Sequence, residues 1–383
     1  MIERPLGSGT WRLRVYVRES GEQVQRTFHG NATAAGRALA RLSTEVDAGR
    51  FDHTKATTSD LLDKWVAQIG PTRAPSTMLG YRRKIEHDIR PDLGHVLLAR
   101  LRPDQLDTFY GGQLARGLST ATVRQMHAII SAALHQAVKW GWIGANPADR
   151  ASPPTVRTPQ MILPTVTEVD VLYKAARDLD PVLGTAVALA ALTGARRGEL
   201  CALRWSDVDL AGGRVTIARA LSVVDGVTHE GDTKTHARRE LALDEVGVTA
   251  LQDRWQHMTD LSELARSPLV ADPFVLSYNA NGGRPVSPDT LSHKFATVAK
   301  AAGIELHLHS LRHFSVSTLI GAGVDIRTVS DRHGHASATM TLNVYAHSLP
   351  GRDRIAAGIL GRALTPPTSD TTTLTTIGSM SSC

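Results

Sequence analysis

Ala151 to Pro159 reads Ala-Ser-Pro-Pro-Thr-Val-Arg-Thr-Pro, and neither a helix nor a central strand can run through it. Its prolines lack a main-chain donor, and each biases the residue before it towards extended backbone. The stretch therefore reads as an extended linker that divides the 383-residue chain into parts with separate cores.

Before the linker, residues 57 to 153 carry a helical pattern with marked starts. Ser59 or Asp60 is expected to cap Leu61 to Val66, Ser76 to cap a helix with Tyr81, Ile85 and Ile89, Arg102-Pro103-Asp104 to open another, and Ser119 to begin the longest, over Ser119 to Trp142, with Asn146-Pro147 as the stop after it. Further upstream the period changes. In Trp11 to Val17, apolar residues alternate with Arg12, Arg14 and Tyr16, the signature of a half-buried strand with a basic face. Val24 to Phe28 forms its partner, and Asn31 opens a helix to about Val46.

After the linker, Thr165 or Thr167 caps a helix, and Pro181 to Leu192 is apolar throughout and stopped by Gly194. Ala195-Arg196-Arg197-Gly198-Glu199-Leu200 follows at once, which puts Arg196 at the end of a buried element. Val215 and Ile217 alternate in a strand, Asp225-Gly226 makes a hairpin turn, and Lys234 precedes the alternating Leu241 and Leu243. Helices are expected near residues 246–265, 288–302, 309–320, 325–332 and 337–347. The last twenty residues, 364–383, hold seven Thr and four Ser, too few apolar groups to offset ordering entropy, and are expected to be disordered. The fold class is mainly α with small β elements: a sheet-plus-helix domain over 1–53, a helical domain over 57–153 and an α+β domain over 163–363.

The chemistry concentrates between His309 and Tyr345. His309 and Arg312 are three apart and share a helix face; Gly334-His335 and Tyr345 follow. They supply a forked cation, imidazoles and a phenol that can act as nucleophile, a set suited to phosphodiester chemistry. Each has a plainer reading when taken singly: a salt-bridged Arg, a solvated strand Lys, satisfied core histidines, a half-buried aromatic.

Their combination resembles the tyrosine recombinase family, the phage-type integrases, in which TGARRGEL (Thr193 to Leu200), a lysine in DTKT, HSLRH, GH and a tyrosine in TLNVYAH occur in this order. The resemblance implies that Arg196 and Arg312 clamp the phosphate, Lys234 is the general acid, His309 and His335 support, Tyr345 attacks, and Glu199 braces the site. It likewise implies an arm-binding domain over 1–53, a core-binding, SAM-like domain over 57–153 and a catalytic domain over 163–363. The partners would be double-stranded attachment-site DNA, three further copies of the chain in a homotetramer on two duplexes, and DNA-bending accessory or directionality factors. His333 departs from the family, which commonly has an apolar residue before Gly-His; packing and DNA contact both stay open for it.

Charge and composition narrow the rest. A formal net charge of +6 and a pI near 9.5 suit a polyanion, but 35 of the 43 basic residues are Arg, so no single Arg is informative alone. Arg12 and Arg14 on the strand, and Arg82, Arg83 and Lys84 near a helix start, are the expected DNA contacts outside the catalytic domain. The two cysteines, Cys201 and Cys383, suggest no disulfide framework and fit a bacterial cytosol or nucleoid; no membrane span is expected. The histidines between His307 and His347 lack an HExxH or CxxC spacing, so neither metal nor cofactor is expected. Rival readings are a type IB topoisomerase-like relaxing enzyme and a DNA-binding regulator that no longer cuts.

Overall fold

The computed structural model describes residues 2–3, 9–16, 23–47, 55–156, 163–232, 238–334 and positions 354, 357, 358, 360 and 361. The chain divides into two compact units, Met1–Met161 and Ile162–Cys383.

The first unit begins with an antiparallel sheet of β1 (Ile2–Glu3), β2 (Thr10–Tyr16) and β3 (Gln23–His29), in that order. The alternation read from the sequence sets its faces: Leu13 is buried with Trp11, Val15 and Phe28 around it, against Ala35 and Leu42 of α1 (Ala32–Asp47). Asn31 caps α1, its Oδ1 accepting from the Ala34 amide at 2.9 Å. β1 was not foreseen, because two residues are too short to show a period.

A helical bundle follows. α2 (Thr58–Ile69) is capped by Thr57 rather than by Ser59 or Asp60. Asp60 is the reciprocal partner of that capping box, its carboxylate accepting from the Thr57 amide at 2.8 Å. α3 (Pro75–Lys84) starts on Pro75 with no side-chain cap, so Ser76 lies inside the first turn and does not cap it. One π-helical turn, Ile85–Ile89, carries α3 into α4 (Arg90–Leu93). Arg90 separates it from Pro91, the second residue of α4, which lacks the donor that a continuous α ladder would use there. Arg90 ties α4 to α2 through Asp63 at 2.6 Å. α5 (Pro103–Ala115) and α6 (Thr120–Lys139, capped by Ser119) complete the bundle. α6 ends at Lys139, short of Asn146-Pro147, which instead open a 3₁₀ turn. The core joins Leu62, Ile89, Leu106, Tyr110, Met126 and Ile130.

In the second unit Thr165, and not Thr167, caps α7 (Val166–Leu179). α8 (Pro181–Thr193) is buried over nearly its whole length and packs against α7. Gly194 ends it at φ 60. The short α9 (Arg197–Ala202) leads into β4 (Val208–Asp209), β5 (Arg214–Ile217), β6 (Arg219–Val224), β7 (Val227–Asp232) and β8 (Arg239–Ala242). These form a sheet in the order β4-β5-β8 and a separate hairpin, β6-β7. Asp225 and Gly226 turn that hairpin at φ 49 and φ 79, left-handed at both positions as a two-residue hairpin loop requires. α10 (Glu245–Leu264), α11 (Pro288–Ala301), α12 (Leu308–Gly321) and α13 (Ile326–His333) follow, and α10 and α12 both pack on α8. The expected helix over 337–347 and the tail over 364–383 lie outside the described residues. Among the described residues, no helix is long and apolar enough to cross a membrane.

Candidate active site

Arg196 owes its position to the way α8 ends. Gly194 turns the chain left-handed, and Arg196 then takes extended backbone (φ −71, ψ 152) as the residue before α9. This places Glu199 one turn into α9, where it is 1% exposed. Its Oε1 accepts from Arg196 Nη1 at 2.8 Å, and its Oε2 accepts from the Arg196 amide at 2.9 Å and from Arg239 Nη2 at 2.5 Å. Burial pushes the carboxyl's pKa up. The hydrogen bond and charge of Arg239, then the amide and guanidinium of Arg196, outweigh burial and hold it below its ordinary value. Glu199 is thus an ionised carboxylate between two guanidiniums.

Arg312, on α12, is 3% exposed and its guanidinium binds main chain: Nη1 donates to the Gly194 carbonyl at 2.6 Å and Nη2 to the His333 carbonyl at 2.5 Å. Arg196 Nη2 donates to the Gly334 carbonyl at 3.0 Å, and Arg239 Nε to the Arg332 carbonyl at 3.1 Å. Three arginines from three separate elements therefore bind three successive carbonyls, 332 to 334, at the C-terminal end of α13. The last carbonyls of a helix have no partner within it and sit at the negative end of its dipole, so guanidiniums are suited to them. Gly334, at φ 60, supplies the left-handed exit, and a Cβ on it would lie 3.1 Å from Arg239 Nη1.

His309 and Arg312 share α12 but differ in surroundings. His309 is exposed and meets His313 edge to face, ring centroids 4.9 Å apart. Burial, and then the charge of Arg312, holds the His313 pKa below its ordinary value. His309 also lines a cleft of about 420 Å³ with Arg196, Arg197, His307 and Ser292, floored by Phe295. An anion entering this cleft would meet arginines and imidazoles together.

His333 is a packing residue. It is fully buried, with Nδ1 at 2.8 Å from the Val329 carbonyl and Nε2 at 3.1 Å from Ser315 Oγ. Its ring fills the space beside Gly194, where a Cβ would approach Cδ2 to 2.2 Å.

Lys234, His335 and Tyr345 lie outside the described residues. Arg12 and Arg14 alternate with the core-facing positions of β2 and are half-buried. Arg82 and Arg83 are exposed at the end of α3, while Lys84 lines a groove of about 350 Å³ with Trp65 and Tyr81, whose rings stack at 5.8 Å. Sequence reasoning missed Arg239. The signal was present: it lies two residues before Leu241 and, like it, points inward, so a charge occupies a core-facing strand position.

Residues 165–352 match the phage integrase family and residues 57–112 match the phage integrase N-terminal SAM-like domain. Curated relatives span most of the chain. A XerC-like tyrosine recombinase of Caldanaerobacter subterraneus subsp. tengcongensis is 22% identical over 354 residues, covering 87% of this chain and 90% of the relative. An integrase of Streptomyces ambofaciens is 28% identical over 303 residues, 76% of each. Two solved structures share the fold. The Tn1549 transposon integrase with transposon right end DNA aligns at TM-score 0.69 and 21% identity, covering 80% of this chain and 99% of that one. A lambda integrase tetramer bound to a Holliday junction aligns at 0.57 and 19%, covering 88% and 96%.

Proposed function

This chain belongs to the tyrosine recombinase family, the phage integrases, and from that premise we propose that it is a site-specific recombinase integrating or excising a mobile element. It cleaves and rejoins DNA through a 3′-phosphotyrosyl intermediate. The observation that carries the reading is the meeting of Arg196 and Arg312 on adjacent carbonyls, Gly334 and His333, immediately before His335 in the chain.

In the proposed step the Tyr345 oxygen attacks the scissile phosphorus, a P–O bond forms to tyrosine, and the bond to the 5′ oxygen breaks. Phosphodiester cleavage is so slow unaided that acceleration of up to about 23 kcal/mol can be required. Arg196 and Arg312 would neutralise the charge growing on the nonbridging oxygens, each such donor being worth about 3 kcal/mol. A phenol with a reference pKa near 10 needs help to lose its proton, and His309, exposed at the mouth of a cationic cleft, is suited to take part. Lys234 would protonate the leaving 5′ oxygen, and His335 would support the phosphate. Glu199, braced between Arg196 and Arg239, fixes the first clamp. The phosphotyrosyl bond conserves the energy of the broken link, so another 5′-OH can attack it and reseal the strand without ATP.

The arm-binding role of residues 1–53, core binding by 57–153, catalysis by 163–363, and assembly as a tetramer on two duplexes belong to the same proposal, as do DNA-bending and directionality factors. The direct test is to incubate the full chain with nicked duplexes from the DNA flanking its gene and resolve the products by denaturing gel. A protein–DNA adduct joined through a 3′ phosphate is the expected result. Hydrolysis without an adduct would overturn the proposal.

A further inference from the structure

We infer that Arg239 is a positioning residue for strand cleavage, holding Glu199 and the end of α13 so that Arg196 stays directed at the scissile phosphate. This rests on the recombinase reading above and adds to it a residue that the family motifs quoted from the sequence do not contain.

Arg239 is buried: its side chain is 7% exposed and sits on the inward face of β8 with Leu241, whose neighbour across the sheet is Val215. The groups it touches belong to both halves of the site. Nη2 binds Glu199 Oε2 at 2.5 Å, and Nε binds the Arg332 carbonyl at 3.1 Å. Glu199 in turn fixes Arg196 by its amide and its guanidinium. Arg196 fixes the Gly334 carbonyl, two peptides beyond the one Arg239 holds. A closed circuit results: Arg239, Glu199, Arg196, Gly334 and Arg332 each constrain the next.

Loss of Arg239 would leave a carboxylate at 1% exposure with one cation in place of two. A buried charge so depleted either takes up a proton or draws its remaining partner closer. The first result frees Arg196 from its brace, and the second pulls its guanidinium off an incoming anion. Both weaken the clamp while leaving the core of α8, α10 and α12 in place.

A purely structural arginine would make a different prediction, because it would not care about charge on the substrate. The experiment measures single-turnover cleavage by full-length Arg239→Gln, Arg239→Lys, Glu199→Gln and the double variant Arg239→Gln with Glu199→Gln. Each is given duplexes carrying either a normal phosphodiester or a methylphosphonate at the scissile position. Arg239→Gln should cleave the phosphodiester about 10- to 100-fold more slowly, the range seen when a residue that orients a metal ligand is lost and taken here for one that orients a guanidinium. The deficit should shrink on the methylphosphonate, which lacks one nonbridging charge, and Arg239→Lys should recover part of the rate. The double variant should be no slower than Glu199→Gln, since residues acting in one circuit are not additive. An equal deficit on both substrates, an additive double variant or an undiminished Arg239→Gln would overturn the inference. Should Arg239→Gln fail to fold, the substrate comparison is made on Arg239→Lys, with the same outcomes deciding. Wild-type chain that forms no adduct would overturn the recombinase reading and this inference together; wild-type cleavage without the Arg239 effects overturns this inference alone.

Discussion

Arg196 and Gly334 are joined by one hydrogen bond, Nη2 to carbonyl oxygen at 3.0 Å, which ties the start of α9 to the residue that ends α13. The side chain proposed to hold the phosphate thereby also holds the backbone from which the segment carrying His335 and Tyr345 departs. Arg196 and the end of α13 therefore share a fixed reference point.

Tyr345→Phe should bind attachment-site DNA with unchanged affinity and form no covalent adduct. A mobility-shift assay beside a denaturing gel checks both. An adduct in this variant would move the nucleophile to another residue.

Arg312→Ala should show two losses at once. Removing the guanidinium leaves the Gly194 and His333 carbonyls without their present donor in the interior, at about 1–3 kcal/mol each. It also removes a clamp donor, slowing cleavage at least about a hundredfold. Thermal denaturation and cleavage of a nicked substrate separate the two; near-normal cleavage would assign Arg312 wholly to packing.

Gly194→Ala should lower stability sharply. A side chain at φ 60 is strained, and the new Cβ would lie 2.2 Å from His333 Cδ2. Together these cost about 2–5 kcal/mol, a fall of at least roughly 4 °C in melting temperature by calorimetry. His333→Ala in the same chain should recover part of that loss by clearing the contact.

Stability of the second unit should decline on mild acidification. Burial and the neighbouring Arg312 hold His313 below its ordinary value of 6.5, so the unfolded chain binds its proton first. The contribution is complete above 6.5 and is lost as pH falls towards the folded value. Calorimetry from about pH 7.5 down to about pH 5.5 should show it, and His313→Gln should flatten that slope. Glu199 has the same sign in a lower window, below its ordinary 4.5.

Replacing Arg82, Arg83 and Lys84 by Ala should weaken binding to every DNA sequence alike. It should reduce the slope of log affinity against log salt by up to about 0.9 for each phosphate no longer neutralised. An unchanged slope would mean that these side chains face away from DNA.

Much of this was legible in the sequence, where period and punctuation speak for themselves. Gly194 stops α8, Asn31 and Ser119 cap as expected, and Asp225-Gly226 turns its hairpin. Thr57 displaced Ser59 and Asp60 as cap because a capping box depends on which residue first leaves the helix, and propensity does not specify that. The end of α6 did have a local signal: Gly141 takes the left-handed exit at φ 70, its amide donating to the Val138 carbonyl at 3.0 Å and the Trp142 amide to the Ala137 carbonyl at 2.9 Å. Arg196, Glu199 and Arg312 could be named from their motifs, but their attachment to carbonyls 332 to 334 is a tertiary fact with no local trace. Arg239 was hidden by its company, lying beside Arg238 in a run that reads as a solvated surface.

The three anchored carbonyls have a mechanical consequence. They are held from three separate elements, Arg239 on β8, Arg312 on α12 and Arg196 before α9, so the direction in which the backbone leaves Gly334 cannot change without breaking at least one of those bonds. For the nucleophile proposed at Tyr345, eleven residues on (345 − 334), a misplacement of about 1 Å can already cost a hundredfold in rate.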